Sequence, residues 1–101
     1  MNEQTLKGLL GLALRARQAT AGMDAARILL RSGQCGALLM DGAAGPHTRK
    51  KAEDMCRQQN VPAAVLPEGI IRSATGLDNM VLAIRKGSFA EQIIVLTGEN
   101  A

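Results

Sequence analysis

The sequence predicts an α/β fold, a three-layer α/β/α sandwich with a small mixed sheet of about four strands. Three observations lead there. Apolar residues recur at helical spacing near the start of the chain, short apolar runs follow glycines further on, and the two kinds of segment alternate. With 101 residues, 47% of them apolar, residues 1–101 read as one domain that can enclose a core without disulfide or metal. Phe89 is the sole aromatic residue, so that core rests on Leu, Ile, Val, Ala and Met.

The elements follow in order. Leu6, Leu9, Leu10, Ala13 and Leu14 fall at i, i+3, i+4, i+7 and i+8, the stripe of a helix packed on one side. Residues 15–21 form a short basic and small-residue connector. Gly22 opens a second helix that closes at Gly33, with Met23, Ala26, Leu29 and Leu30 on its inner face. A helix beginning there leaves first-turn amides unpaired, a seat for phosphate, and Arg15, Arg17, Arg27 and Arg31 are expected to frame it. Residues 36–41 read as a buried strand, 42–45 as a loop, and Pro46 as the first position of a third helix. That helix runs to about Asn60, turns Ala52, Met55 and Cys56 inward, and carries Arg49, Lys50 and Lys51 near its start. Residues 63–66 read as a second buried strand, 67–76 as a short helix closing at Gly76, and 80–84 as the clearest strand. Ser88-Phe89-Ala90-Glu91 has the form of a capping box; the helix it begins buries Phe89, Ile93 and Leu96 and stops near Gly98.

Charge is uneven along the chain. The net +3 divides into +5 over residues 1–51 and −2 over residues 52–101, an asymmetry suited to a nucleic-acid footprint or to a merely soluble basic surface. One aromatic ring excludes a base-stacking platform. Cys35 and Cys56 form no C-x-x-C pair, and with one histidine there is no zinc spacing; both read as small buried hydrophobes in a reducing cytoplasm. No transmembrane run, leader or lipidation motif is visible, so the expected location is cytoplasmic. Gly8-Leu9-Leu10-Gly11 lies inside the leucine stripe and Gly42-Ala43-Ala44-Gly45 follows a strand, which removes both as nucleic-acid-clamping GXXG loops. No arrangement of Ser, His and acid, and no carboxylate pair, points to catalysis.

Leu9-Leu10-Gly11-Leu12-Ala13-Leu14-Arg15-Ala16-Arg17, then Gly22 and Gly33, resemble the opening of the bacterial YlxQ proteins. Thr48-Arg49-Lys50-Lys51, Cys56, Val61-Pro62, Ala74-Thr75-Gly76 and Gly87-Ser88-Phe89-Ala90 fit the rest of that pattern. These proteins form a branch of the kink-turn RNA-binding ribosomal-protein superfamily, beside the archaeal large-subunit protein 7Ae and the eukaryotic protein 30e. The resemblance implies an α/β/α sandwich and three RNA-contacting patches. The first is a Gly-x-Asn-Glu-x-x-Lys turn and helix start; here Gly22 matches, Asp24 stands for Asn, Ala25 for Glu and Ile28 for Lys. The second is an acidic pair after the first long strand, replaced here by Gly42 and Ala43. The third is a loop over bulged nucleotides, matched by Ile71-Arg72-Ser73-Ala74-Thr75-Gly76.

The expected function is non-enzymatic binding of structured RNA, ribosomal or translation-associated, with no cofactor, no small-molecule substrate and no membrane partner. The residues expected to carry it are Arg15, Arg17, Gly22, Met23, Asp24, Arg27, Ile28 and Arg31 around the second helix, Arg49 and Lys50 on the third, and Ile71, Arg72, Ser73, Ala74 and Thr75. Asp24 is also placed to favour its own helix start and to pair with Arg27 or Arg31. The arginines at 15 and 17 also suit a helix C-terminus, and 49–51 a solvated helix face. The alternative is a protein-interaction module that docks on ribosomal proteins or translation factors through Ile28 and the Arg-rich helix.

Overall fold

Helix α1 (Glu3–Arg15) begins with the Asn2 side chain accepting from the Thr5 amide and buries Leu6, Leu10 and Ala13, as its leucine stripe requires. The computed structural model describes residues 2–98. Chain order continues with β1 (Ala19–Ala21), α2 (Met23–Arg31), β2 (Cys35–Asp41), α3 (Pro46–Gln59), β3 (Ala63–Leu66), α4 (Ile70–Thr75), β4 (Val81–Arg85) and α5 (Ser88–Gly98). The four strands form one mixed sheet in the order β1-β4-β2-β3. β4 runs antiparallel to both β1 and β2, while β3 is parallel to β2, so β1, β2 and β3 all point the same way.

Alternation along the strands divides the core into two layers. Ala37 and Leu39 of β2 with Leu82 and Ile84 of β4 face α1, α4 and α5. Leu38 and Met40 with Val81 and Ala83 face α2 and α3. The α/β/α sandwich expected from periodicity is therefore the observed architecture.

Several local expectations change. The segment between the first two helices is not a plain connector, because Ala19, Thr20 and Ala21 pair with Ile84, Ala83 and Leu82 as an edge strand. β3 is not a buried strand; it is the opposite edge, and only Leu66 is enclosed. The capping box does not close: the Glu91 amide bonds the Gly87 carbonyl, and the Ser88 hydroxyl accepts from Gln92 Nε2 at 2.8 Å. Within α5, Ile93 is fully enclosed while Phe89 and Leu96 pack on the core only in part.

Candidate nucleic-acid interface

Because β1, β2 and β3 share a direction, their carboxyl ends and the amino end of β4 meet on one edge of the sheet. Ligands of open α/β sheets gather at such edges. Gly22, which heads α2, closes the turn after β1; its N–H donates to the Val81 carbonyl at 2.9 Å. Its backbone, φ 99° and ψ 156°, lies in a region that is essentially closed to side-chain-bearing residues, and a Cβ there would stand 3.2 Å from Asn79 Nδ2. No side chain caps the helix, so its first-turn amides stay open.

Asp41 ties the neighbouring segments to that edge. It is 1% exposed; its carboxylate accepts from the Ala43 amide at 2.8 Å and from the Gly69 amide at 3.0 and 3.2 Å. One buried side chain thus holds both the 42–45 loop and the start of α4. Gly42 adds to this closeness, since a Cβ at that position would lie 2.9 Å from the Leu66 carbonyl oxygen and 3.0 Å from the Glu68 nitrogen. An acidic side chain at 42 has no room, whereas Ala43 is exposed and its lack of an acid has no steric cause.

The expected RNA-contact residues separate into distinct groups. Gly22, Met23 and Asp24 form the α2 head, although the Met23 side chain packs on the α2–α3 core. Asp24 is exposed and accepts from Arg27 Nη1 at 3.1 Å, which is one of the two pairings expected of it. Ile28 is 71% exposed. Arg31 lies in the last turn of α2, at the opposite end from the head.

Arg15 and Arg17 do not frame Gly22. β1 intervenes and carries the chain across the sheet, so the two arginines lie at its other end, beside Gln18 and the Arg85 amide that bonds it. Arg17 itself ends α1 in the left-handed conformation at φ 60°. Arg49 is spent on the loop before it: Nη2 donates to the Gly42 carbonyl at 2.6 Å and Nε to the Ala44 carbonyl at 3.1 Å. Lys50 lies exposed beside Asp54 at 3.4 Å, on a solvated helix face.

Residues 70–75 form α4, closing at Gly76 as the short helix read over 67–76 does, and so do not make the covering loop that the resemblance implies. Ile71 is enclosed in the core, and Ala74 packs on α1 near Gly11. The Thr75 hydroxyl donates to the Ile71 carbonyl and accepts from the Leu77 amide. Ser73 and Arg72 remain exposed, and Arg72 pairs with Asp78 at 3.2 Å. The loop at this edge is instead 67–69, directly before α4. Sequence reasoning does not single out Asp41 as an organiser of the edge. The only prior signal for Asp41 is an acid ending an apolar run.

Other groups bear on chemistry. Burial raises the Cys35 thiol above its ordinary value and lifts Cys56 to about 11, with Cys35 and Glu53 adding a smaller push on the latter. Both thiols are buried and unpaired. Among the described residues no group of His, Cys, Asp and Glu could hold a metal, and no helix is long and apolar enough to cross a membrane.

No protein-family model matches this chain, and no curated protein matches it. Solved structures do. A protein of unknown function from Bacillus halodurans superposes with a TM-score of 0.87 at 29% identity, over 93% of this chain and 97% of that one. The Giardia lamblia 15.5 kD RNA-binding protein superposes with a TM-score of 0.77 over 96% of this chain and 88% of that one. At 13% identity the Giardia likeness shows a shared fold.

Proposed function

We propose that this protein binds structured RNA, kinked or looped, without catalysing a reaction, and that it belongs to the YlxQ-like branch of the kink-turn-binding superfamily. One observation carries the reading: the uncapped head of α2, the 42–45 loop and the 67–69 segment share one edge of the sheet, with the latter two held in fixed relation by buried Asp41. A phosphate seated on the amides of Met23, Asp24 and Ala25 meets the positive end of the helix dipole. Met80, 39% exposed and next in the chain to Val81, whose carbonyl holds Gly22, offers apolar contact to unstacked bases where no aromatic ring is present. The fold shared with an RNA-binding protein supports the reading, and a ribosomal or translation-associated RNA is the proposed partner.

A filter-binding comparison of a kink-turn RNA with a straight duplex of equal length tests it. Preference for the kinked RNA is expected; equal affinity leaves only nonspecific electrostatics and contradicts the proposal.

Ile28, 71% exposed on α2, favours a second reading in which this helix docks on a ribosomal protein or translation factor. A pulldown before and after nuclease separates the two. Survival of the main partner after RNA removal supports protein docking.

A further inference from the structure

A groove of about 190 Å³ runs between α2 and α3, lined by Arg27 and Arg31 from α2 and by Lys51, Gln58 and Gln59 from α3, among others. Both helices start at the carboxyl edge of the sheet, so the groove leads away from the α2 head toward the far edge. Arg27 and Arg31 stand about one turn apart on the same side of α2, about 6 Å along the axis. No acid lines the groove. Asp54 of α3 is engaged by Lys50 and Arg57, and Arg31 and Lys51 have no ion pair among the described residues.

We infer that this groove carries the sugar–phosphate backbone of an RNA strand leaving the α2 head. The inference rests on the proposed function for the identity of that head, but the groove makes its own electrostatic claim. The Arg31 guanidinium fork matches phosphate geometry, Lys51 facing it supplies a second charge to the same track, and Arg27, held by Asp24 at 3.1 Å, adds a third that is partly engaged. The exposed amides of Gln58 and Gln59 can both donate and accept, the capacity a ribose 2′-hydroxyl requires. A chain of phosphates suits a row of cations at helical-turn spacing better than scattered carboxylates would.

The test is the salt dependence of RNA binding for the wild type, Arg31→Ala, Lys51→Ala and the double variant. Each single change is expected to lower the slope of log K against log salt by about 0.7 to 0.9, and the double by about twice that. Lys7→Ala, exposed on α1 in the helical layer across the sheet, serves as control and leaves the slope unchanged. An unchanged slope in the folded double variant, or an equal drop in the control, overturns the groove. Equal, Arg31- and Lys51-dependent binding of polyglutamate overturns its assignment to nucleic acid. Measuring kinked and straight RNA side by side keeps the two claims apart. Loss of slope without kink preference refutes the α2-head reading and retains the groove; kink preference without loss of slope does the reverse. No RNA binding at all refutes both.

Discussion

Replacing Asp24 with Asn is expected to strengthen RNA binding, an outcome that damage to the fold does not mimic. The Asp24 carboxylate sits in the first turn of α2, exposed, and bonded to Arg27 at 3.1 Å. A phosphate on the first-turn amides would lie about 6 Å from it. Two like charges at that separation repel by about 0.7 kcal/mol in water and by about 3 kcal/mol at the effective dielectric of a protein surface. The exposure of Asp24 places the true value near the lower figure, so the gain is about three- to ten-fold in affinity. The change also frees Arg27, which steepens the salt slope by just under one unit. Against this, the helix loses a favourable charge at its start, and stability falls by about 0.3–1 kcal/mol. Filter binding across a salt series, with urea unfolding of the same samples, reads all three quantities. Unchanged or weaker binding by a variant with the predicted small stability loss refutes the placement of phosphate at this helix start.

Three further outcomes follow from the same geometry. Asp41→Asn puts an amide donor against the Gly69 or Ala43 N–H and is expected to destabilise by roughly 3 kcal/mol, visible in urea unfolding as a lower midpoint with the same m-value; a loss below about 1 kcal/mol refutes its role as the clamp of two loops. Arg17→Gly relieves a left-handed backbone at φ 60° and is expected to raise stability by about 0.5–1 kcal/mol, whereas a lowered midpoint contradicts the relief of strain. The Cys56 thiol keeps its proton in the fold up to about 11, against an ordinary 9.0, so the unfolded chain loses that proton first. Its contribution is complete below pH 9 and falls by roughly 3 kcal/mol between 9 and 11; Cys56→Ala is expected to flatten that decline, and an equally steep decline refutes the assignment.

Helices were the legible part of the sequence, because an apolar stripe four turns long leaves a period that short-range chemistry does not disguise. β1 was not legible: three residues, two of them alanine, carry no alternation. β3 was legible as a strand but not as an edge, since Ala63 and Val65 are apolar yet exposed. The α2 head could be read from Gly22 alone, because a helix start that only glycine fits is a local property. The cations around it could not. Arg15 and Arg17 are near Gly22 in sequence, and only the sheet pairing of β1 shows that a strand carries them to the other edge. Arg49 reads as a surface charge until the 42–45 loop turns its carbonyls toward it. The short helix ending at Gly76 was legible, but its burial of Ile71 was not, since six residues are too few for a reliable period and the family resemblance places Ile71 in a covering loop.

The most direct measurement is a titration of isotopically labelled protein with a kink-turn RNA, followed through backbone amide shifts. The account predicts that the amides of Met23, Asp24 and Ala25 move first and furthest, together with residues 42–45 and 68–69. Shifts confined to the far edge around Arg15, Arg17 and Arg85, or no shifts at stoichiometric RNA, contradict it.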